Sequence, residues 1–165
     1  MPAQVVELRE VQQEDLATFF EQQLDPKATY MAAFTAEDPS DQEAFRAKWA
    51  RILADPAIRA QTILADGRVA GHISKYILGG EPEITYWLGR EFWGQGIASR
   101  ALALFLAQLP ERPLYGRAAV DNYASIRVLQ KNGFQVIGRE ISYAGGRGEE
   151  VEEIILRLDR LTTRK

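Results

Sequence analysis

A pair of glycines separates a strand-like run of residues from a helix-like run. Residues 84–88 are β-branched and aromatic, as in a buried strand, and residues 98–106 are rich in Ala and Leu. Between them, Gly94 and Gly96 permit positive φ angles and the close approach of a ligand. The first N–H groups of a helix have no internal acceptor, so this stretch predicts a main-chain pocket for a diphosphate. An ordinary strand–turn–helix corner fits the same residues.

A second segment, residues 121–134, predicts a helix with polar groups at its start. Asn122 can cap this helix, Ser125 lies in its first turn, and an Asn-Gly pair can end it. Both side chains also have purely local explanations, as a cap and as a first-turn residue. Residues 83–120 predict strand, helix and strand, an order that requires a parallel pair of strands. Ligands tend to bind at the carboxyl ends of such strands, which places the glycine loop at the edge of a cleft.

The two segments together resemble the GNAT family of acyl-CoA-dependent N-acyltransferases. In that family a loop of pattern Q/R-x-x-G-x-G/A binds the CoA diphosphate, and Gly96 and Ala98 occupy its last positions here. A later N-x-x-S/A motif opens a helix that ends in Gly-Phe, as Asn122 and Ser125 do in this chain. The stretch of residues 86–99 is most similar to the branch that contains the ribosomal-protein N-terminal acetyltransferases.

The resemblance implies one α+β domain over residues 1–165. Its GNAT-like mixed central β-sheet would be flanked by helices, with a splayed parallel strand pair that holds the cofactor. The implied reaction is acetyl transfer from acetyl-CoA to a primary amine by direct attack in a ternary complex. The chain has no cysteine that could form an acyl-enzyme. The alternatives are a catalytically silent CoA-binding regulatory module and a nucleotide-binding protein unrelated to CoA.

Glu83 and Ser125 are the candidate catalytic residues. A glutamate in this part of the sheet often acts as general base in the family, and partial burial would bring its pKa closer to neutrality. His72 competes for that role, although a lone strand histidine is more often structural. In the resemblance, Ser125 donates a hydrogen bond to the CoA sulfur. Many GNAT enzymes have a tyrosine acid where this chain has Leu129, so the proton donor to the thiolate is left open.

The predicted cofactor-binding residues lie on the strand before the loop, in the loop and on the later helix. They are Trp87, Leu88, Trp93, Gly94, Gln95, Gly96, Ile97, Ala98, Asn122, Ser125 and Lys131. Main-chain N–H groups near residues 86–88 could polarise the thioester carbonyl if the strands separate there. Trp93 stands at the Q/R position of the family pattern and could pack beneath the loop. We see no metal ligands at a recognisable spacing, so no metal is expected.

The composition is that of a globular protein, with 46% hydrophobic and 26% charged residues. The net charge of −3 argues against a nucleic-acid partner, so cations for a phosphate group have to be local. The cations that flank the two motifs are Arg90, Arg100, Arg127 and Lys131. Without a membrane-length apolar run or a secretory start, a cytoplasmic protein with no membrane partner is expected. The acceptor is a small-molecule amine or a protein N-terminus, and a monomer or a homodimer fits.

Periodicity and turn residues predict the elements that position these groups. Strands are expected at residues 5–9, 61–65, 68–77, 83–88, 114–120, 135–143 and 151–158, and helices at residues 15–24, 97–109 and 122–132. Ser40 with Glu43 is expected to form the capping box of a further helix, whereas residues 25–39 show no clear period. The resemblance implies that the acceptor pocket is shaped by Tyr30, Met31, Phe34 and Trp49. These four side chains fit a position in the core equally well.

Overall fold

The computed structural model describes residues 2–160, which alternate between strands and helices. The strands are β1 (Val6–Glu10), β2 (Arg59–Ala65), β3 (Arg68–Leu78), β4 (Glu81–Leu88), β5 (Leu114–Ala119), β6 (Gln135–Ala144) and β7 (Glu149–Leu158). The α-helices are α1 (Gln13–Gln23), α2 (Pro26–Ala32), α3 (Gln42–Ala54), α4 (Ile97–Leu106) and α5 (Tyr123–Lys131). A single 3₁₀ turn, Arg90–Phe92, joins the end of β4 to the glycine loop. The predicted α+β class is confirmed.

One seven-stranded sheet, in the order β1-β2-β3-β4-β5-β7-β6, runs through the molecule. Neighbouring strands are antiparallel except β4 and β5, which are parallel because α4 carries the chain back between them. The parallel ladder joins only Glu83 to Tyr115 and Ile84 to Gly116. Beyond these pairs both strands continue without partners on their facing edges, so they separate toward their carboxyl ends. The predicted mixed sheet with a splayed parallel pair is therefore confirmed.

Both faces of the sheet are covered, because successive strand residues point to opposite sides. On one face α4 packs over the strands, and Leu102, Phe105 and Ile73 are buried there without measurable exposure. On the other face α1 and α3 bring Phe19 and Trp49 onto the sheet. Groups at the gap between β4 and β5 are consequently held within a layered structure rather than at a free edge.

Helix α2 is a finding that the sequence pattern did not predict. It is short, so it offers too few turns for an apolar period to be recognised. Its start is nevertheless regular, because the Asp25 carboxylate accepts the N–H of Lys27 at 3.1 Å and proline occupies the first helical position. The predicted end of α4 at residue 109 is also wrong, because the helix ends at Leu106 and the next residues turn through shorter-range bonds.

The cap of α3 differs from the predicted capping box. The helix begins one residue later than expected, so Asp41 occupies the cap position and its carboxylate accepts the N–H of Ala44 at 3.0 Å. Glu43 then falls too early in the first turn to reach back to Ser40. The N–H of Ser40 instead donates to Asp38 at 3.0 Å. The capping-box prediction is wrong by a single register position.

Gly71 on β3 allows β4 to approach closely at the end that leads into the glycine loop. A Cβ atom at this position would lie 1.8 Å from the carbonyl oxygen of Trp87, which is backbone and cannot rotate away. We expect Gly71→Ala to lower the free energy of unfolding by about 2 kcal/mol or more, because the two strands would have to move apart. Urea denaturation measures this loss.

Gly138→Ala is the matched control for that substitution. Gly138 also lies in a strand, but a Cβ there would meet nothing within 4 Å. We expect this variant to change stability by less than about 1 kcal/mol in either direction. Equal losses in the two variants would contradict the assigned close approach of β3 and β4.

Candidate active site

The glycine loop that follows β4 has the left-handed backbone expected from its sequence. Gly94 has a φ of 73° and Gly96 a φ of 74°, and Gly96 is the N-cap residue of α4. A Cβ atom at either position would meet nothing within 4 Å. The requirement for glycine at these two positions therefore comes from the backbone conformation, and the space in front of the loop is open.

The backbone N–H groups of the loop point to no acceptor in the protein. Within residues 2–160, no N–H from Gly94 through Ser99 donates a hydrogen bond. The preceding N–H of Trp93 donates to the Arg90 carbonyl at 3.1 Å, and the following N–H of Arg100 donates to the Gly96 carbonyl at 3.2 Å. The unpartnered donors thus form one continuous run at the positive end of α4, which suits a diphosphate. The residues present fit the predicted diphosphate cradle.

Two side chains hold the loop in place without occupying its donors. The indole N–H of Trp93 donates to the carbonyl of Leu88 at 3.1 Å, which ties the loop to the end of β4. The amide of Gln95 donates to the carbonyl of Glu91 at 3.0 Å. The indole of Trp93 is therefore bonded to the end of β4, and its single donor is not free for a ligand.

Two of the arginines near the loop are committed to other contacts. Arg90 forms an ion pair with Asp25 at 3.0 Å. Arg100 donates to the carbonyls of Ala3 at 2.8 Å and Gln4 at 2.9 Å, so it fastens the start of the chain to α4. Neither guanidinium supplies uncommitted charge to the loop.

The cations of α5, in contrast to these two arginines, lie on a helix that contacts the first turn of α4 and form no ion pair among the described residues. The side-chain amide of Asn132 donates to the carbonyl of Ser99 at 3.3 Å and to its hydroxyl at 3.2 Å, which brings the end of α5 to the first turn of α4. Lys131 directly precedes Asn132, and Arg127 lies one helical turn before it. Both cations are exposed and have no ion pair among the residues that the structure describes. Sequence reasoning treated Asn132 only as a helix end and missed this contact.

The separation of β4 from β5 leaves main-chain groups of β4 facing the gap. The N–H of Gly89 donates to the carbonyl of Ala70 on β3 at 2.9 Å. Along a strand, the N–H groups of every second residue point to the same side. Trp87 shares that direction, so its N–H faces β3 and is turned away from the gap. The N–H groups of Tyr86 and Leu88 point the other way, toward the unpaired edge. Of the two predicted strand contacts to a cofactor, the geometry favours Leu88 over Trp87.

Ser125 lies in the first turn of α5 and meets a side chain from β4. The hydroxyl oxygens of Tyr86 and Ser125 are 2.8 Å apart, and the Tyr86 hydroxyl also lies 3.1 Å from the Ser125 carbonyl oxygen. Burial raises the pKa of Tyr86 to about 12, although the bond with Ser125 opposes that shift. The side chain of Tyr86 was absent from the predicted site. Strand alternation could only place it on the core face, together with Ile84 and Leu88.

Asn122 uses both ends of its side-chain amide within the protein. Its oxygen accepts the N–H of Ser125 at 3.3 Å, as predicted for the cap of α5. Its nitrogen donates to the carbonyl of Met31 at the end of α2, at 3.2 Å. Asn122 therefore joins α2 to the start of α5, and a contact with a cofactor would need one of these bonds to be exchanged.

Leu129, at the position of the tyrosine acid in many relatives, is a core residue here. It is 1% exposed, and its side chain fills the space in front of Gly116, where a Cβ would lie 2.8 Å from a Leu129 methyl carbon. The glycine on β5 and the leucine on α5 are thus fitted to one another.

Glu83 is buried on β4 beside an arginine that serves several carboxylates. Its carboxylate accepts from Arg117 at 2.9 Å, and the same guanidinium donates to Glu140 at 2.8 Å and to Glu153 at 3.3 Å. Burial raises the pKa of Glu83, and Arg117 reduces that rise without reversing it. The pKa of Glu153 is raised by burial in the same way. One guanidinium therefore faces three carboxylates, two of which are buried.

A groove of about 510 Å³ opens beside this group. Glu83 and Arg117 form part of its lining, with Tyr115, Ile137 and Ile155 as apolar walls. Since Glu83 belongs to the parallel ladder, the groove lies next to the point where β4 and β5 begin to separate. This position gives the carboxylate an approach from solvent.

The structure places His72 among aromatic rings. Its ring lies 4.7 Å from that of Phe19 and 4.9 Å from that of Trp49. Burial, with a smaller contribution from the charge of Lys48, lowers the pKa of His72 to about 3. An imidazole enclosed in this way takes up protons poorly at neutral pH, so the structure favours Glu83 over His72 as the base.

Helix α2 is fastened across the carboxyl end of β5 by Arg147. This guanidinium binds Asp121 through both of its terminal nitrogens, at 2.8 and 2.7 Å, and donates to the carbonyl of Tyr30 at 2.8 Å. It also lies over the Tyr30 ring, 4.3 Å from the ring centre. The segment predicted to shape the acceptor pocket is thereby held against the start of α5, where Ser125 lies.

The described residues were also compared with the requirements of a metal site and of a membrane-spanning helix. Among residues 2–160, no three or more His, Cys, Asp or Glu side chains are grouped closely enough to bind one metal ion. In the same residues, no helix is both long enough and apolar enough to cross a membrane.

The sequence matches a known domain over most of its length. The profile of the acetyltransferase (GNAT) domain covers residues 6–135. YdaF of Bacillus subtilis (strain 168), provisionally named a ribosomal N-acetyltransferase, is 32% identical over 117 residues. This match covers 64% of the present chain and 64% of YdaF, so it spans less than two thirds of that relative.

Solved structures share the architecture. RimL, described as a ribosomal L7/L12 alpha-N-protein acetyltransferase in complex with coenzyme A, is 23% identical with a TM-score of 0.74, covering 96% of this chain and 97% of RimL. The spermidine N-acetyltransferase of Vibrio cholerae, in complex with CoA and spermine, is 16% identical with a TM-score of 0.73, covering 92% and 95%. At these identities the likeness concerns the fold, and it confirms the GNAT-like sheet.

The enclosure of His72 predicts a specific pH dependence of stability. Its pKa in the folded protein lies below the ordinary value of 6.5, so folding resists protonation of this ring. The associated stability is fully present above pH 6.5 and is lost as the pH falls toward about 3. We expect wild type to lose up to roughly 1.4 kcal/mol per pH unit relative to His72→Gln in that window.

Urea denaturation of both proteins between pH 7.5 and pH 4 measures this difference. The variant carries every other titrating group, so the other acids and bases cancel in the comparison. A difference between the two unfolding free energies that stays constant with pH would show that His72 takes up its proton freely in the folded protein.

Proposed function

The chain belongs to the GNAT acetyltransferase family, and on that premise we propose that it transfers an acetyl group from acetyl-CoA to a primary amine. The observation that carries the proposal is the run of unpartnered N–H groups from Gly94 through Ser99. It lies directly after the strand that separates from β5. A diphosphate is the ligand for which such a run at a helix start is suited.

We assign the cofactor contacts from the hydrogen-bond donors, the charge and the position of each group. The main chain of Gly94, Gln95, Gly96, Ile97 and Ala98 would donate to the diphosphate, and Lys131 would add positive charge from α5. The pantetheine arm would lie in the gap beside Leu88. Trp93 would support the loop from beneath, and Asn122 would hold the start of α5. RimL and the spermidine N-acetyltransferase, which share this fold, were solved in complex with CoA, and this supports CoA as the ligand.

The chemistry then needs a base and donors for the developing charges. An amine attacks the acetyl carbon directly, because the chain has no cysteine to carry the acetyl group. Glu83, acting directly or through a water molecule, takes the proton that the amine loses. Its raised pKa brings its basicity nearer to neutral pH, where a general base is most effective. The N–H of Leu88 would face the carbonyl oxygen, and Ser125 the departing sulfur.

The acceptor is a cationic amine in this proposal. Buried carboxylates outnumber the guanidinium beside the groove, which favours an ammonium group over an acid. The names of YdaF and RimL refer to ribosomal proteins, and the Vibrio cholerae enzyme is named for spermidine. A protein N-terminus and a polyamine are therefore the two acceptor types to test against one another.

Gly96→Val tests the diphosphate cradle. A β-branched side chain resists a φ of 74°, so the loop should leave the conformation that aligns its donors. We expect CoA affinity to fall by roughly a hundredfold or more, as loss of charge-assisted hydrogen bonds implies. Isothermal titration with CoA measures the affinity, and circular dichroism verifies the fold.

Gly80→Val is the matched control, because it imposes the same kind of backbone strain elsewhere. Gly80 has a φ of 83° with nothing within 4 Å of a Cβ, and it lies in the turn at the opposite end of β4. We expect it to retain CoA affinity. Equal affinity in both variants would rule out the loop as the cofactor site.

Glu83→Gln tests the base and the reaction together. Wild type should release free thiol from acetyl-CoA when offered N-terminal peptides or polyamines, with a rate that falls as acid protonates Glu83. Since burial raises the pKa of this group, the acid limb should lie above the ordinary value of 4.5. We expect the variant to lose about a hundredfold in kcat, as for loss of a general base, with CoA affinity little changed.

Glu140→Gln is the control for disturbance of the ion pairs around Arg117. Glu140 accepts from the same guanidinium but lies at the exposed end of the group. We expect its turnover to stay near that of wild type. If wild type releases no thiol with any of the acceptors, the proposed function is wrong. If Glu83→Gln is active and its acid limb is unchanged, only the assignment of the base is wrong.

A further inference from the structure

The side chain of Tyr86 crosses the gap between β4 and α5. Tyr86 lies on β4 beyond the last parallel pair with β5, and its hydroxyl reaches the first turn of α5 at Ser125. The two hydroxyl oxygens are 2.8 Å apart, and the phenol also lies 3.1 Å from the Ser125 carbonyl. The rest of the ring packs against the core beside α4.

The hydrogen atoms of this pair can be arranged in two ways. If the phenol donates to the Ser125 carbonyl, the Ser125 hydroxyl can donate to the phenol oxygen. The hydrogen of Ser125 is then not available to a ligand. If the phenol donates to the Ser125 hydroxyl oxygen, the hydrogen of Ser125 is free to point elsewhere. Both arrangements fit the observed distances, because each oxygen of the pair can be donor or acceptor. The second arrangement presents one directed donor at the start of α5.

We propose that Tyr86 is a positioning residue for Ser125, whose hydroxyl it turns toward the departing sulfur. This inference rests on the proposed acetyl transfer. In that step the carbon–nitrogen bond forms, the carbon–sulfur bond breaks, and the electron pair of the latter goes to sulfur. The proton of the amine goes to Glu83. Ser125 donates a hydrogen bond to the thiolate and keeps its proton, while Tyr86 donates to Ser125.

A hydrogen-bond role agrees with the acidities better than a full proton transfer does. Burial holds the pKa of Tyr86 at about 12, whereas a free thiol has a pKa of about 8.5. A thiolate is therefore a weaker base than the Tyr86 phenolate by roughly three orders of magnitude. The phenol therefore keeps its proton during the step and acts as a hydrogen-bond donor. Hydrogen bonds in a chain strengthen one another, so the donor from Ser125 is improved by its partner.

The packing of Leu129 explains why this chain needs such an arrangement. The usual tyrosine position on α5 is filled by Leu129, which is fitted against Gly116 on β5. That position therefore supplies no phenol to the gap in this chain. Tyr86 brings a phenol to the same turn of α5 from the opposite strand, β4. The phenol that orients Ser125 thus comes from β4, whereas the usual tyrosine position is on α5.

A double-mutant cycle tests the inference on the full-length protein. The variants are Tyr86→Phe, Ser125→Ala and the combination of both, each assayed for thiol release with the best acceptor. We expect Tyr86→Phe to lower kcat about tenfold, as loss of one hydrogen bond to a developing charge implies, with KM for acetyl-CoA nearly unchanged. In the Ser125→Ala background the same substitution should have almost no further effect, because Tyr86 acts through Ser125.

Tyr143→Phe is the matched control, since it removes a phenol hydroxyl from an exposed position on the edge strand β6. It should leave kcat unchanged. Thermal unfolding of each variant separates loss of packing from loss of donation, and an unaltered Tm with the expected cycle supports the inference.

Two results would overturn it. The first is a kcat of Tyr86→Phe that equals wild type. The second is an equal, additive loss in the Ser125→Ala background, which would mean that Tyr86 only supports the fold. In both cases an active wild type would leave the proposed function standing. A wild type that acetylates no acceptor would remove the function, and this inference with it.

Discussion

The early end of the β4–β5 ladder is the constraint on which the rest of the site depends. Had the parallel pairing continued past Ile84 and Gly116, the N–H groups of Tyr86 and Leu88 would bond to β5, as ladder groups do. The strands separate instead inside a covered sheet, so polar groups of the main chain face a gap rather than a partner strand. Native proteins rarely leave such groups unpaired unless a ligand or water supplies the partner. The gap is for this reason the place where we propose that the pantetheine arm of CoA binds.

The polar groups around the gap divide into those that build the site and those that remain available. Arg90 and Arg100 hold neighbouring segments together, and Trp93 uses its one donor to fix the loop. The N–H groups of the loop and the cations of α5 have no such duties in the described part of the chain. In the proposed function, recognition of the diphosphate therefore falls to the main chain, whose donors cost no side-chain entropy to align.

How far the sequence could predict the site depended on how local each feature is. The positive φ angles of the glycine pair and the cap of α5 by Asn122 involve only neighbouring residues, and both were predicted. The wrong capping box of α3 is a local feature too, but it failed by one residue, because both Ser40 and Asp41 are good caps. Contacts such as those of Arg117 with Glu83 and of Asn132 with Ser99 join distant segments, and no local pattern indicates them.

The sequence by itself determined the order of the elements, the glycine loop at the start of α4 and the family, because periodicity, turn residues and motif spacing are written along the chain. Only the tertiary structure decided the environment of each side chain. It enclosed His72 between rings, packed Leu129 against Gly116, and brought Tyr86 to Ser125. The physical reason is that burial and through-space hydrogen bonds set pKa values and donor directions, and both depend on residues far apart in the sequence.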